Sequence, residues 1–382
     1  MLYRAHHILQ GVCVIACAIG LTGCGSSNNT VVCPLTSNSS KCGCGVNPTS
    51  TACLAPAFVY ADGLNQQVFT FPVDLTTNQL ETPTSVAGPS ESLGMAAINN
   101  QFLYASNPGG GTASIDAWSI NQTTGALATV PGSPFSLGSL SVAAGLAADD
   151  TTGTLYVADV GRIDVLKADN TTGALTAIAG SPFAAEGVGL FLTSDPLAHF
   201  LFATGTSSAG YVLAYTIDPI SGALTPVPGS PFPTNFNNSL VTGIAVDSLS
   251  RFVYLLSQGG NQMAGFSIGD NGALTAVPGS PFSTGSAPLA VIALQNFVYV
   301  SNAGDGTVSC YSIDSTTGAL TPCAGSPFAI PAGTFTTGFG TFLYSSGAGG
   351  MMTFSIDSSS GALTQLGTTI MFPGATVLTY VQ

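Results

Sequence analysis

The residues of this chain best suited to chemistry are an acid and a cation three positions apart. Asp159 and Arg162 lie in the segment VADVGRID, in a loop between two stretches of β-rich sequence. A carboxylate can act as a general base on water, and a guanidinium can stabilise the oxyanion that develops when water attacks a carbonyl. We therefore identify a candidate catalytic pair, with Asp159 as base and Arg162 as its electrostatic partner. The alternative is a plain ion pair that holds a loop.

Further polar residues occupy loops of the same kind and are candidates for contact with a ligand: Asp62, Asn107, Asn302 and Asp305. Asn107, Asp159 and Asn302 each stand three residues after a strand aromatic, and a recurring Asn or Asp at a strand end most simply bonds nearby backbone. The acids are dispersed, and the sequence has no GxSxG, HExxH or CxxC motif. We therefore expect neither a metal site nor a cofactor.

Charged residues are scarce and mostly acidic. The chain has 5 Lys and Arg against 18 Asp and Glu, which gives a formal net charge of -13. Nucleic acids and anionic lipids are bound through clusters of cations, so we expect the chain to bind neither through its folded part.

His199 is the last of three histidines, and both His199 and Arg251 precede a strand aromatic, which places them at the face opposite the candidate residues. We expect a monomer.

The N-terminus predicts export and lipid anchoring. After a weakly basic start, an apolar stretch over residues 8–20 is too short to span a membrane. It ends in Leu-Thr-Gly-Cys, which resembles the signal of bacterial lipoproteins, with Cys24 as the lipidated residue. We therefore predict a signal peptide over 1–23, a Cys-, Ser- and Asn-rich linker over 24–55, and a place in the cell envelope, at the outer membrane. The alternative is an ordinary secretory signal with a chance cysteine.

Two groups of cysteines fit disulfides, because an exported chain folds in an oxidising compartment. The linker group, which allows two disulfides in three possible connectivities, consists of Cys33, Cys42, Cys44 and Cys53. Four thiolates around a metal ion are the alternative for this group. Alignment of the repeats described next pairs Cys310 with Cys323 across one hairpin, and we predict a structural disulfide there.

The fold is predicted by an internal repeat of the form GALTxVPGSPF, which occurs in seven copies at a period of 43 to 50 residues. The glycine of the repeat is at positions 125, 173, 222, 272, 318 and 361, and Asn78 takes its place in the first copy. Each copy reads as four short strands, and a Thr-Gly or Ser-Gly pair supplies the positive φ of a tight hairpin. Repeats of this length with four strands are typical of propeller blades.

The predicted domain is therefore an all-β, seven-bladed β-propeller with four-stranded blades over residues 56–382. The first copy lacks an inner strand, whereas the chain ends with a surplus strand at residues 375–381. That strand can complete blade 1 and close the ring, which protects the strand edges. A transmembrane barrel would have longer strands and aromatic girdles, and a solenoid would need no surplus strand.

The blade sequence FVYVSNAGDGTVSCYSIDSTTGALTPCAGSPF resembles those of the lactonase family of seven-bladed propellers, which includes 6-phosphogluconolactonase-like enzymes. The resemblance covers about residues 56–382 and implies the fold, with lactone hydrolysis as a possible activity. It also implies several cations at the mouth of an enzyme with an acidic substrate, whereas Arg162 is the only cation in these loops. We predict a binding module for a glycan, a peptide or an envelope protein. The alternative is a hydrolase of an uncharged sugar lactone that uses Asp159 and Arg162.

Overall fold

Short apolar runs between Gly-, Pro- and Asn-rich turns form β-strands throughout Ala57–Gln382 in the computed structural model of the chain. The described residues are 56–63, 65–89, 92–108, 112–139, 142–159, 161–185, 187–205, 210–236, 241–330, 333–347, 350–372 and 375–382. The predicted signal peptide, Cys24 and the linker cysteines lie outside these ranges. Among the described residues, no helix is long and apolar enough to cross a membrane.

The strands are numbered along the chain and grouped by blade. Blades 1 to 3 contain β1 (Phe58–Gly63), β2 (Gln67–Pro72), β3 (Thr84–Ala87); β4 (Met95–Ile98), β5 (Phe102–Asn107), β6 (Thr112–Ile120), β7 (Leu127–Thr129), β8 (Phe135–Ser139); and β9 (Leu146–Asp149), β10 (Thr154–Asp159), β11 (Arg162–Ala168), β12 (Leu175–Ala177), β13 (Phe183–Ala184). Blades 4 and 5 contain β14 (Val188–Ser194), β15 (Phe200–Gly205), β16 (Tyr211–Ile217), β17 (Leu224–Pro226), β18 (Phe232–Pro233); and β19 (Val241–Val246), β20 (Phe252–Ser257), β21 (Gln262–Ile268), β22 (Leu274–Ala276), β23 (Phe282–Ser283). Blades 6 and 7 contain β24 (Pro288–Leu294), β25 (Phe297–Asn302), β26 (Thr307–Ile313), β27 (Leu320–Pro322), β28 (Phe328–Ala329); and β29 (Gly333–Phe339), β30 (Phe342–Gly347), β31 (Gly350–Ile356), β32 (Leu363–Ile370), followed by the final strand β33 (Ala375–Val381).

Each blade is an antiparallel sheet whose four main strands run from an inner strand to an outer one; they follow chain order in blades 2 to 7, whereas β33 is the inner strand of blade 1. In blade 3 the order is β9-β10-β11-β12. In five blades a further short strand, such as β13, also pairs with the third strand, so the outer edge is divided in two. The Ser–Pro peptide bond of the GSPF segment, which lies between the two outer pieces, is cis in all five.

The ring is closed by the last strand, as the sequence predicts. β33 pairs with β1 in antiparallel register, with Tyr380 opposite Val59, and forms the inner strand of blade 1. The inner strands β33, β4, β9, β14, β19, β24 and β29 contact one another in this order, and β29 returns to β33. The seven sheets therefore form a closed seven-bladed β-propeller, which confirms the predicted fold.

The hydrophobic core lies between neighbouring blades. One cluster, for example, combines Tyr156 and Val165 of blade 3 with Leu201 and Tyr215 of blade 4. A sheet that is covered on both faces in this way needs apolar residues on both sides, which explains why the second strands read as continuous apolar runs. In blade 3, all six residues of the second strand are buried.

In five blades, a tyrosine of the second strand forms a hydrogen bond to the next blade. The Tyr156 hydroxyl of blade 3 donates a buried hydrogen bond of 3.0 Å to the carbonyl oxygen of Gly222, the hairpin glycine of blade 4. The equivalent bonds join Tyr60 to Gly125, Tyr104 to Gly173, Tyr254 to Gly318 and Tyr299 to Gly361. The hairpin residue must be small because a neighbouring side chain packs directly on it: a Cβ on Gly125 would lie 2.3 Å from the Phe58 ring. Gly125 also has φ of +69°, which favours glycine.

The hairpin is closed by the side chain of the residue that directly follows the third strand, such as Asp357. The Asp357 carboxylate accepts hydrogen bonds from the hydroxyl and N–H groups of Ser359 and Ser360, and these bonds lower its pKa to about 2. Asn121 makes the same backbone bonds in blade 2, to Thr123 and Thr124, without a charge. The turn therefore requires the acceptor geometry of the side chain rather than its charge.

The structure joins Cys310 and Cys323 in a disulfide, with 5.4 Å between their Cα atoms. The Cys323 N–H also donates to the Cys310 carbonyl oxygen at 2.9 Å. Both residues are buried in the cluster between blades 6 and 7, together with Leu343 and Met352. The disulfide therefore takes the place of an apolar contact between blades.

We expect Tyr156→Phe to lower the free energy of unfolding by about 1 kcal/mol, because it removes the buried donor to the Gly222 carbonyl oxygen. Phe202 occupies the corresponding position of blade 4, and Gly272 is the next hairpin glycine. Phe202→Tyr is therefore the matched reverse change and is expected to stabilise the protein by about 0.5–1.5 kcal/mol. Urea unfolding followed by the fluorescence of Trp118, the single tryptophan, measures both changes. Identical midpoints for wild type and Tyr156→Phe would contradict the prediction.

Candidate functional site

The loops between second and third strands lie at the same end of the propeller as the loops that enter the inner strands. In blade 3 the register places Asp159 opposite Arg162, and Leu146, the first residue of inner strand β9, opposite Val157. We call this end the mouth face. All six candidate residues lie at it: Asp62, Asn107, Asp159, Arg162, Asn302 and Asp305.

Asp159 and Arg162 are brought together, and both oxygens of the carboxylate have partners. Oδ1 of Asp159 accepts the N–H of Val142, in the loop that enters β9, at 2.7 Å. Oδ2 lies 2.8 Å from the Arg162 guanidinium. The Asp159 side chain is 1% exposed, whereas that of Arg162 is 29% exposed. Asp159 therefore bonds to the entry loop of its own blade as well as to Arg162.

Arg162 also contacts a second buried acid, which the sequence analysis did not single out. Its Nε donates to Oδ2 of Asp164 at 3.1 Å, and a terminal nitrogen reaches the Leu137 carbonyl oxygen of blade 2 at 3.4 Å. Burial raises the pKa of Asp164, and the neighbouring Arg162 charge opposes this effect. One cation thus neutralises two buried carboxylates. The sequence does indicate the contact between Arg162 and Asp164 through their spacing, because residues two apart on a strand share a face.

Asp62 and Asn107 also bond to groups of the fold. The fully buried Asp62 accepts the N–H of Ser92, in the loop that enters the inner strand of blade 2, at 2.8 Å. Nδ2 of Asn107 donates to Oδ2 of Asp116 on the neighbouring strand at 2.8 Å. Burial raises the pKa of Asp116, and the hydrogen bond from Asn107 opposes this.

Asn302 and Asp305 support one loop of blade 6. The buried Asn302 accepts the N–H of Gly285 at 3.1 Å, and its amide donates to the hydroxyls of Thr307 and Ser309. Asp305 accepts the N–H of the next residue along the same loop, Ser286. The six candidates are thus distributed over blades 1, 2, 3 and 6, and each supports local structure.

Two further groups that could do chemistry lie away from the six candidate residues. His199 and Arg251 lie at the end opposite the mouth face, as the sequence predicts, and the Arg251 guanidinium pairs with Asp247 at 2.9 Å. Within the part of the chain that the structure describes, no group of three or more His, Cys, Asp or Glu side chains is arranged to hold a metal ion.

A cavity of about 220 Å³ lies where the inner strands of six blades meet at the mouth face. Its lining includes Leu93, Leu146, Phe191, Ile244, Leu289 and Leu378. None of the six polar candidates belongs to the lining. The sequence analysis missed these residues, because an apolar residue of an inner strand reads as core. Their position within the inner strands or just before them is the only indication that they surround the axis.

Comparisons with known proteins agree with this architecture. The lactonase family model, described as a seven-bladed β-propeller, matches residues 228–337, from the end of blade 4 to the inner strand of blade 7. A Bacteroides fragilis protein provisionally named a 6-phosphogluconolactonase superposes with a TM-score of 0.70 at 17% identity, covering 87% of this chain and 99% of its own. The periplasmic gluconolactonase of Pseudomonas aeruginosa superposes with a TM-score of 0.67 at 16% identity, covering 86% of this chain and 99% of its own. No curated protein sequence matches the chain.

The closed ring of seven antiparallel sheets defines the class of the protein, a seven-bladed β-propeller. The structural likenesses support this fold alone, because their sequence identities are low. The family match adds that residues 228–337 resemble the lactonase family of seven-bladed propellers.

We expect Arg162→Ala to lower the free energy of unfolding at pH 7 by about 3 kcal/mol, because it leaves Asp159 and Asp164 as neighbouring buried charges. The pKa of Asp164 is raised in the folded state, so the variant should regain stability as the pH falls through that value. Urea unfolding at several pH values measures the effect.

The matched control adds Asp159→Asn to Arg162→Ala, since Asn107 and Asn302 occupy the same position in blades 2 and 6. The second change removes one of the two buried charges and is expected to restore part of the lost stability. An unchanged unfolding midpoint for Arg162→Ala would show that the cation contributes nothing to the fold.

Proposed function

We propose that this lactonase-like propeller is a binding module of the cell envelope, anchored through lipid on Cys24, with its ligand contacts at the mouth face. The engagement of Asp159 carries the proposal. Its carboxylate is buried and bonded to the Val142 N–H and to Arg162, so it supports a loop. A general base must be able to reach the water that it activates, and Asp159 would have to give up one of these partners to do so.

The composition supports binding without catalysis. Arg162 is the only cation in the loops between second and third strands, and phosphorylated substrates are usually held by several Arg and Lys side chains. A surface rich in Ser, Thr, Asn and Gly suits a neutral partner. The partner classes that the sequence favours are a glycan, a peptide or another envelope protein.

Hydrolysis of an uncharged lactone is the second candidate function. It is favoured by the lactonase family match and by the 2.8 Å approach of Arg162 to Asp159 at the mouth face. In this alternative Asp159 would accept the proton of the attacking water, and Arg162 would stabilise the oxyanion. The enzymatic names of the structural neighbours describe those proteins only, because a shared fold does not determine an activity. Experiment must therefore decide between binding and hydrolysis.

We expect no turnover of glucono-δ-lactone or of simple alkyl lactones above the buffer rate, with or without calcium. The assay uses the unlipidated mature chain, residues 24–382, and follows acid release at constant pH. Asp159→Asn is the control, because Asn107 and Asn302 show that the amide fits this position. Turnover that disappears in Asp159→Asn would establish the hydrolase, and turnover that persists would place hydrolysis at another site; either result would overturn the proposal.

We expect Cys24→Ser to release the protein from the membrane fraction of the producing cells, because it removes the predicted acylation site. Cys33→Ser, which changes a linker cysteine outside the signal pattern, is the matched control and should stay with the membranes. Fractionation of cells by centrifugation measures both. Wild-type protein in the soluble fraction would contradict the anchor.

A further inference from the structure

We propose that Phe339, at the end of the propeller opposite the mouth face, is the stacking platform of a saccharide site. Its ligand is a neutral chain of pyranose rings with equatorial hydroxyl groups, such as a cellulose-type glucan. This site is separate from the mouth face of the proposed function, and neither site depends on the other.

Three aromatic rings form a continuous stack between blades 7 and 1. The ring of Phe339, the last residue of β29, lies 5.0 Å from that of Tyr380, with 7° between the two planes. Tyr380 stacks in turn on Tyr344, at 6.0 Å and 12°. Tyr380 belongs to the closing strand β33, which contacts β29, so the neighbouring inner strands fix the stack. The outermost ring is therefore oriented before a ligand arrives, which reduces the entropic cost of binding.

The outermost ring is open to solvent. Phe339 is 52% exposed although one face of its ring lies on Tyr380, so the other face remains for a ligand. Among the residues whose side chains the structure describes, Phe339 is the only exposed Phe, Tyr or Trp. Ile98, which ends the inner strand of blade 2 in the same way, is fully buried in the core. Phe339 therefore exposes an apolar surface at a position that serves the core in blade 2.

The turns beside the ring are short and leave it uncovered. Inner and second strands are joined by two residues in blade 7, Gly340 and Thr341, and by two in blade 6, Gln295 and Asn296. The corresponding connection of blade 5 runs over 247–251. A Cβ on Gly340 would meet nothing within 4 Å. A flat ligand can therefore reach the exposed face of the ring.

The turn of blade 6 supplies neutral hydrogen-bonding groups next to the platform. A Cβ on Gly338 would lie 2.6 Å from Cδ1 of Leu294. Phe339 and Gln295 directly follow these two residues, so their turns adjoin. Within the described part of the chain, the side-chain amides of Gln295 and Asn296 have no hydrogen-bond partner. An amide both donates and accepts, which suits the hydroxyl groups of a sugar.

The chemistry of these groups favours a saccharide. The face of an aromatic ring carries partial negative charge. In a pyranose with equatorial hydroxyls, the axial C–H bonds form a flat, weakly positive surface that can cover such a face, while the hydroxyls at the edge remain free to reach the amides. A nucleotide is disfavoured, because the formal net charge of -13 repels phosphate and neither turn carries Lys or Arg. The two turns also carry no carboxylate to pair with a cationic ligand.

The test is calorimetric titration of the unlipidated mature chain, residues 24–382, with cellohexaose, a neutral chain of equatorial pyranose rings. We expect saturable binding. Phe339→Ala removes the platform and should weaken binding about tenfold or more. Phe339→Trp enlarges the platform and should retain or tighten binding, whereas Gln295→Ala removes one amide and should weaken it less than Phe339→Ala. Inulin, a neutral fructan built of furanose rings, lacks the flat C–H face and should not bind.

Ile220→Ala is the matched control, because Ile220 is 86% exposed on the blade 4 hairpin at the same end of the propeller. It should leave binding unchanged, and the fluorescence of the buried Trp118 shows whether each alanine variant is folded. No saturable binding of cellohexaose, equal binding by wild type and Phe339→Ala, equal affinity for inulin, or displacement of cellohexaose by choline would overturn the proposal. Lactone turnover would overturn the proposed function and leave this site standing.

Discussion

The contact between a second-strand aromatic and the hairpin glycine of the next blade is the constraint on which the ring depends. The Tyr156 hydroxyl bonds to the Gly222 carbonyl oxygen, and the ring of Phe58 packs where Gly125 would otherwise carry a Cβ. A propeller blade has no core of its own, because its apolar faces are covered only by its neighbours. A repeated bond between adjacent blades therefore sets their spacing, and the pairing of β33 with β1 closes the ring without a break. The shape of the axial cavity follows from that spacing.

The mouth face separates polar and apolar groups in a way that bears on function. Its carboxylates and amides bond to backbone N–H groups of the entry loops, as Asp62 does with Ser92 and Asn302 with Gly285. Buried acceptors used in this way fix the loops, because an unmade bond at a buried site is costly. The side chains of the residues that line the axial cavity are apolar, except for that of Thr242. Polar residues at the mouth of a propeller are therefore not sufficient evidence of a catalytic site.

The lactonase family match over residues 228–337 and the composition of the mouth point to different conclusions about activity. The repeated features of the blades, namely the hairpin glycine, the second-strand aromatic and the GSPF segment, stabilise the fold. A fold does not determine an activity, which depends on particular side chains at a site. Here the strongest pair, Asp159 and Arg162, belongs to a cluster with Asp164 in which one cation balances two buried acids. Such a cluster has a sufficient structural role without any substrate.

The sequence by itself determined the number of blades, their hairpins and the strand that closes the ring. These features are local or periodic: the positive φ of each hairpin glycine and the alternation of short strands are encoded within a few residues, and the repeat multiplies the signal seven times. Only the tertiary structure decided what the mouth residues do. The partner of Asp159 is the N–H of Val142, 17 residues earlier, and the lining of the cavity is drawn from positions between Leu93 and Leu378. Side chains that meet only through closure of the ring leave no spacing in the sequence from which their contacts could be predicted.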